Sequence, residues 1–234
     1  MPNLELLNPQ SHAHLRLRMT PAEPSHFVQI VAGEFAAAAA CGPILFTKES
    51  ATGGFYAGVM FGFKPGENLL GTVEERGGFS PLMLQREGFF FSEQHIAIDR
   101  GHARFSEQVG DALFDEAQQP GAALRAIQRV LGEIHTGLEQ TKAFIHALAD
   151  LKLIEPIDIS LTFEDGERLT LQGLYTVSQD RLREIDDAAA IRLFRAGHLQ
   201  LAYTMTASLK QIGRLARLRN DRRTKTASSA TSGK

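Results

Sequence analysis

The sequence predicts an α+β protein with a glycine-rich antiparallel β N-terminal half, a long central helix, a β-hairpin and a C-terminal helical hairpin. Three observations predict this class. Apolar runs bounded by Gly and Pro fill the first half, apolar residues recur every three or four positions over residues 120–151, and an Asp-Gly pair then separates two alternating runs. With 234 residues, 43% of them hydrophobic, the chain is long enough for one sizeable core or for two small ones, and length alone does not choose between them.

The first 24 residues predict an extended leader. Four prolines disfavour a regular helix there: Pro2, Pro9, Pro21 and Pro24. The alternation over residues 14–19 favours an edge strand with Leu15, Leu17 and Met19 facing inward.

The segment from Phe27 to Asp99 predicts a short alanine helix among strands and tight turns. The predicted helix covers the alanines at 36–40. A hairpin is predicted with strands at 43–47 and 55–63, and a turn follows at 65–68. Two further strands are predicted at 89–91 and 95–99.

The central helix is predicted from about Pro120 to Leu151. Its buried stripe is interrupted once, by Thr141, and consists of Leu124, Ile127, Leu131, Ile134, Leu138, Thr141, Ile145 and Leu148.

Beyond this helix, the pattern predicts a hairpin and then two helices. The strands cover 157–163 and 169–177 around Asp165-Gly166, with Leu169, Leu171, Gly173, Tyr175 and Val177 in one phase. Ser178 caps a helix that continues to about Arg195, Gly197 ends it, and a second helix covers 199–218. We predict a single domain over 15–218 and a disordered basic tail over 219–234.

Charge and hydropathy indicate the compartment. The formal net charge is -2, so there is no general attraction to nucleic acid or anionic membrane. The sequence contains no secretory signal and no apolar run of about 18 residues. We therefore expect a soluble, cytoplasmic protein without a membrane span.

One histidine–carboxylate group could bind a divalent metal. Glu93, His95 and Asp99 share one face of a predicted strand, and His102 could fold back from the loop. The alternative is a half-exposed strand with polar residues on its wet face. This spacing matches no specific metal-ligand signature.

Other catalytic and cofactor patterns are absent from the sequence. It has no phosphate-binding loop of the Gly-x-x-x-x-Gly-Lys type and no Gly-x-Ser-x-Gly. Cys41 follows an alanine run, which favours a buried packing residue over a reactive thiol. We assign no catalytic or cofactor-binding residue and expect no cofactor.

The C-terminus is basic, and two interpretations stay open. The cations are Arg214, Arg217, Arg219, Arg222, Arg223 and Lys225. They indicate either a patch for nucleic acid or anionic lipid, or a cation-rich helix end that the helix dipole favours.

Several motifs resemble one bacterial family. They are Pro43-Ile44-Leu45-Phe46-Thr47-Lys48, Ala51-Thr52-Gly53, Gly62-Phe63-Lys64-Pro65-Gly66-Glu67-Asn68-Leu69, Phe79-Ser80-Pro81, Ile98-Asp99, Gly110 with Leu113-Phe114, Leu171-Gln172-Gly173-Leu174-Tyr175, and Gly197-His198-Leu199 with Tyr203 and Ser208-Leu209. Over residues 15–218 the chain resembles the SapC family, and the Pro-Gly-Glu-Asn turn is the most specific part. Thr72-Val73-Glu74-Glu75 stands where the family usually carries a Trp, and Gly88 where it tends to place a Pro.

The resemblance implies a nominal surface-layer association and no set of catalytic residues. Our first hypothesis is a non-enzymatic binding or accessory protein for a peptide, protein or small ligand. The alternatives are an enzyme with an unrecognised, metal-assisted site at His95, Asp99 and His102, and a nucleic-acid-binding factor acting through the basic tail.

Overall fold

The computed structural model describes residues 4–18, 25–92 and 95–231, apart from the side chains of Ser92 and residues 225–231. Its mixture of helices and antiparallel strands confirms the predicted α+β class. The helices are α1 Pro9–His12, α2 Phe35–Cys41, α3 Leu82–Gln85, α4 Ala122–Asp150, α5 Gln179–Arg183, α6 Asp187–Arg195, α7 His198–Ser208 and α8 Gln211–Thr231. The strands are β1 Leu4–Leu6, β2 Arg16–Leu17, β3 Phe27–Gln29, β4 Ile44–Lys48, β5 Phe55–Met60, β6 Phe89–Ser92, β7 His95–Asp99, β8 Phe105–Ser106, β9 Asp111–Ala112, β10 Ile154–Thr162 and β11 Arg168–Val177.

The chain divides into two compact units. The first draws on residues 1–23 and 82–136 and contains sheets with the strand orders β1-β7-β6 and β8-β2-β9. Its core consists of buried apolar side chains: Leu15, Leu17, Phe89, Ile98, Phe105, Leu113, Phe114, Leu124, Ile127 and Leu131. The predicted single domain over 15–218 stays a prediction.

Strand β2 lies in the middle of its sheet. It pairs with β8 on one side and β9 on the other, so the predicted edge position is wrong. Leu15 and Leu17 are buried as predicted, whereas Met19 lies outside the described residues. The alternation identified the inward side chains, but the paired residues of β8 and β9 are 88 or more positions away in the chain and leave no local signal in the sequence.

A one-turn helix, α1, interrupts the predicted extended leader. Pro9 occupies its first turn, where the missing amide hydrogen costs nothing, and the Asn8 side chain accepts a hydrogen bond of 2.9 Å from the Ser11 amide. The four prolines therefore did not exclude a helix, because one of them begins it.

The second unit draws on residues 24–81 and 137–234. Its sheet has the strand order β10-β11-β4-β5-β3 and is antiparallel in every pair. The β4–β5 and β10–β11 hairpins confirm the sequence prediction. Phe144 of α4 packs against Phe35 and Phe46, with ring centroids 5.9 Å apart in both pairs.

A β-bulge changes the phase of β11. Ile159 pairs with Leu171, but Ile157 pairs with Leu174, so β11 carries an extra residue. Gly173, at a φ of 75°, takes the left-handed conformation that such an insertion requires. The prediction that residues 169–177 keep one phase is therefore wrong beyond Gly173.

Each of the two predicted C-terminal helices is divided in two. Asp186 separates α5 from α6, because its side chain accepts a hydrogen bond of 2.7 Å from the Ala189 amide and starts a new helix. Gly197, at a φ of 74°, ends α6 as predicted. At the end of α7, the Ser208 hydroxyl accepts a hydrogen bond of 2.8 Å from the Ile44 amide of β4.

Helix α8 continues to Thr231, which differs from the disordered tail predicted from residue 219. The local sequence lacks an apolar anchor, but arginine side chains of α8 contact two turns of the second unit, as described below. In the described part of the chain, no helix has both the length and the apolarity that crossing a bilayer requires.

Helix α4 confirms the predicted central helix, with one shift in its buried stripe. Leu138 is 36% exposed, and Gly137 is buried in its place. A strict repeat of seven drifts relative to a straight helix, so the buried position moves back by one residue. A Cβ on Gly137 would lie 2.5 Å from a Val31 methyl group. The hydroxyl of Thr141 donates to the Gly137 carbonyl at 2.6 Å and accepts from the Ala32 amide at 2.8 Å.

We expect Gly137→Ala to destabilise the protein by about 1–3 kcal/mol, because the methyl group has no space beside Val31. The control is Gly132→Ala on the same helix, where nothing lies within 4 Å of the added Cβ and helix propensity should stabilise by about 0.5–1 kcal/mol. Urea unfolding of both variants measures the difference. Equal effects would contradict the close approach at Gly137.

Candidate functional site

Two of the predicted metal ligands, His95 and Asp99, lie at the two ends of β7, and His102 lies in the loop beyond it, whereas Glu93 lies outside the described residues. His95 is exposed at the start of the strand, and Asp99 at its end accepts a hydrogen bond of 3.3 Å from the Gly101 amide. His102 Nδ1 accepts one of 3.3 Å from the Arg104 amide. Among the described residues, which exclude Glu93, no three His, Cys, Asp or Glu side chains are grouped as metal ligands. A metal at His95, Asp99 and His102 stays a prediction.

Cys41 is a packing residue, as predicted. It is 6% exposed at the end of α2, and its thiol donates to the carbonyl oxygens of Ala37 and Arg76 at 3.4 and 3.3 Å. Burial raises the pKa of the Cys41 thiol, against the opposing charges of Arg214 and Arg76. The thiol form therefore predominates at neutral pH.

The Pro-Gly-Glu-Asn turn belongs to an ionic network, which we call the arginine cluster. Its members are Lys64, Glu67, Asp165, Glu167, Arg219 and Arg223. The Arg219 side chain is only 7% exposed; its Nε donates to Glu67 Oε1 at 3.0 Å, and its Nη2 lies 3.4 Å from Glu167 Oε2. The guanidinium carbon lies 4.3 Å from the centroid of the Phe163 ring, which adds a cation–π contact.

The Pro-Gly-Glu-Asn turn fixes the position of Glu67. The Glu67 amide donates to the Lys64 carbonyl at 3.0 Å, and Gly66 has a φ of 76°, as expected for Pro then Gly at the centre of a type II turn. Glu67 Oε2 accepts a hydrogen bond of 2.7 Å from the Phe63 amide. A Cβ on Gly62 would lie 2.4 Å from the Glu67 carbonyl oxygen, so the chain needs glycine there. The motif therefore presents one oriented carboxylate to α8.

Glu167 is the second anion of the arginine cluster. Its carboxylate forms ion pairs with Lys64 and Arg223, and Arg223 also pairs with Asp165. Hydrogen bonds from Lys64 and then Arg223, together with the charge of Arg219, lower the pKa of Glu167 to about 2. The turn between β10 and β11 is thereby joined to α8.

The cluster bears on the two interpretations of the basic C-terminus. Arg219, Arg222 and Arg223 all contact acceptors within the second unit, and Arg222 donates to the carbonyl oxygens of Asn68 and Leu69. These contacts favour the cation-rich helix end. Nucleic-acid binding through the tail stays a prediction. The Arg219 Nη1 atom is buried without a hydrogen-bond partner in the described part of the structure.

A separate, open depression lies on the surface of α4, within the first unit. It has a volume of about 560 Å³ and is lined, among the described residues, by Ala122, Arg125, Gln128 and Arg129. We call it the α4 groove. Arg125 donates to the Pro120 carbonyl at 2.6 Å. Neither arginine forms an ion pair with a described carboxylate.

Sequence reasoning missed the α4 groove and the exposed apolar residues of α6. Arg125 and Arg129 stand one helical turn apart on the wet side of the predicted stripe, a like-charged pair that could have been noticed. On α6, Ala189 and Leu193 are buried, while Ile191 and Phe194 lie off that stripe and are 49% and 73% exposed. The spacing of the apolar residues could have shown that Ile191 and Phe194 lie off the buried stripe. That reading required knowing that a new helix starts after Asp186.

We expect Arg219→Met to destabilise the protein by about 2–4 kcal/mol, because it leaves Glu67 and Glu167 without their shared cation. The control Arg217→Met, at an exposed position of the same helix, should stay within about 0.5 kcal/mol of the wild type. Urea unfolding gives both values. A wild-type midpoint for Arg219→Met would show that the cluster does not hold α8.

The lowered pKa of Glu167 predicts a loss of stability in acid. The carboxylate is ionised in the folded state down to about pH 2 but takes up a proton near 4.5 when its partners are gone. Its contribution is therefore complete above pH 4.5 and is lost as pH falls towards 2. Glu167→Gln should flatten the stability profile over this window, as measured by unfolding at a series of pH values. Parallel profiles for the two proteins would contradict the assignment.

Comparison with known proteins identifies the family. A family model described as SapC matches residues 7–215, a span that includes the arginine cluster's Glu67 and both of its turns. No curated protein and no solved structure matches the chain. The resemblance noted in the sequence is thereby confirmed, and the chain belongs to the SapC family.

Proposed function

We propose that this chain is a non-enzymatic accessory protein that binds a small anionic ligand, a phosphate or carboxylate compound, in the α4 groove. The observation that carries the proposal is the open depression of about 560 Å³ on α4, lined by Arg125, Gln128 and Arg129. The depression is open to solvent, so a ligand would contact its lining on one side only.

The chemistry of the lining supports an anion. Two guanidinium groups and one amide offer hydrogen-bond donors, and planar guanidinium groups match carboxylate and phosphate oxygens. The lining residues in the described part of the chain include no carboxylate that would repel the ligand.

The local cost of the two arginines also supports a ligand. Arg125 and Arg129 are separated by four residues, a spacing at which like charges destabilise a helix. Arg125 also lies in the first turn of α4, where the helix dipole disfavours cations, and no acidic residue occupies that turn. A bound anion would offset both costs, and local conflicts of this kind are expected at functional sites.

Titration calorimetry with inorganic phosphate, pyrophosphate and succinate tests the proposal at low ionic strength. We expect at least one of these anions to bind, and Arg129→Gln to weaken that binding by about tenfold or more, because it removes one charge-assisted hydrogen bond. The matched control is Arg217→Gln, which removes the same charge from an exposed position of α8 and should leave the affinity unchanged.

Three outcomes would contradict the proposal. Binding of none of the three anions would remove the ligand class, and equal weakening by the two variants would reduce the effect to general electrostatics. Release of orthophosphate from pyrophosphate by the purified protein, lost in Arg129→Gln, would instead support an enzyme.

A further inference from the structure

We propose that the ligand of the α4 groove is a linear dicarboxylate whose two carboxylates lie about one helical turn apart. This inference rests on the proposed function and narrows its ligand class from small anions in general to extended dianions. The observation behind it is that the two guanidinium groups of the groove are held differently. Arg125 is fixed by a hydrogen bond to the Pro120 carbonyl, whereas Arg129 makes no hydrogen bond within the described residues.

The guanidinium group of Arg125 is directed towards the start of α4. Its Nη1 donates to the Pro120 carbonyl at 2.6 Å, and Pro120 precedes Ala122, the first residue of the helix. This direction agrees with the general tilt of helical side chains towards the helix N-terminus. A guanidinium group has five N–H donors, so Arg125 keeps donors for a carboxylate while it is held in place.

Arg129 and Gln128 lie one turn further along the same side of the helix. Residues separated by four positions have their Cβ atoms about 5–6 Å apart, and the Arg129 side chain tilts in the same direction as that of Arg125. The two cations are therefore about one turn apart along the axis. In the part of the chain that the structure describes, neither Arg129 nor Gln128 has a hydrogen-bond partner, so both side chains have donors for a second anionic group.

The charges of the groove match two carboxylates better than one compact anion. A single anion at Arg129 leaves the charge of Arg125 uncompensated, and an anion shared by both requires Arg125 to leave the Pro120 carbonyl. Two carboxylates carry one negative charge each at neutral pH, which equals the charge of the two arginines. Two phosphate monoesters would exceed it, because each carries about −1.5 to −2. The exposed Ala122 lines the same groove and offers its methyl group to a methylene chain.

NMR titrations at low ionic strength test the spacing with straight-chain dicarboxylates from malonate to adipate. We expect the affinity to reach its maximum at glutarate or adipate, because their carboxylates are able to lie about one helical turn apart. Glutarate should bind about five- to tenfold more tightly than pentanoate, which has the same number of carbon atoms and lacks the second charge-assisted hydrogen bond.

Variants at position 129 locate the second carboxylate. Arg129→Gln should reduce the advantage of glutarate over pentanoate to about twofold or less, because this residue binds the carboxylate that pentanoate lacks. Arg129→Lys, which keeps the charge, should retain most of the advantage. The matched control is Arg217→Gln, which removes the same charge from an exposed position of α8 and should leave the ratio of the two affinities unchanged.

Three results would overturn the dicarboxylate and still leave an anion site in the groove. They are an affinity that falls steadily from malonate to adipate, an advantage of glutarate that survives Arg129→Gln, and a tighter binding of inorganic phosphate than of every dicarboxylate. Binding of none of these anions would instead remove the proposed function together with this inference.

Discussion

The close approach of α4 to the segment between β3 and α2 is the constraint on which the second unit depends. Only a glycine at 137 leaves space for Val31. The Thr141 hydroxyl accepts a hydrogen bond from the buried Ala32 amide and donates one to the Gly137 carbonyl. A buried amide without a partner would cost about 1–3 kcal/mol. The hydrogen bond between Thr141 and Ala32 fixes the position of α4 in the second unit. Phe144, one turn beyond Thr141, then packs against Phe35 and Phe46.

The arginine cluster holds α8 against the second unit, through ion pairs instead of a close backbone approach. Its three segments, 63–69, 163–167 and 219–223, are distant in the sequence and are joined mainly by one nearly buried guanidinium with a carboxylate from each of the two turns. Desolvation makes such a cation costly unless its partners are well oriented. The turn around Gly66 and the amide of Phe63 provide that orientation for Glu67. The Pro-Gly-Glu-Asn turn therefore has a structural role in this chain, which is to orient Glu67 towards Arg219.

The proposed α4 groove is of a different kind, because its two cations are not neutralised within the described residues. The cations of α8 are largely occupied within the second unit, whereas Arg125 and Arg129 on α4 have no ion-pair partner in the part of the chain that the structure describes. The sequence alone drew attention to the C-terminus as a binding surface, because arginine is densest there. The density of charge in the sequence therefore did not indicate which cations the fold leaves without an ion pair.

Sequence by itself determined the elements whose signals are local: the long helix with its apolar period, the Asp-Gly hairpin, the Pro-Gly turn, the helix end at Gly197 and the buried state of Cys41. It also determined the family, through short motifs. Tertiary structure alone decided that β2 is a central strand, that Gly173 shifts the phase of β11, that Gly137 replaces Leu138 in the buried stripe, and that Arg219 belongs to the core. The physical reason is that backbone propensity and periodicity act over a few residues, whereas strand neighbours, close approaches and ion pairs join residues far apart in the chain, and no single-sequence pattern records which residues meet.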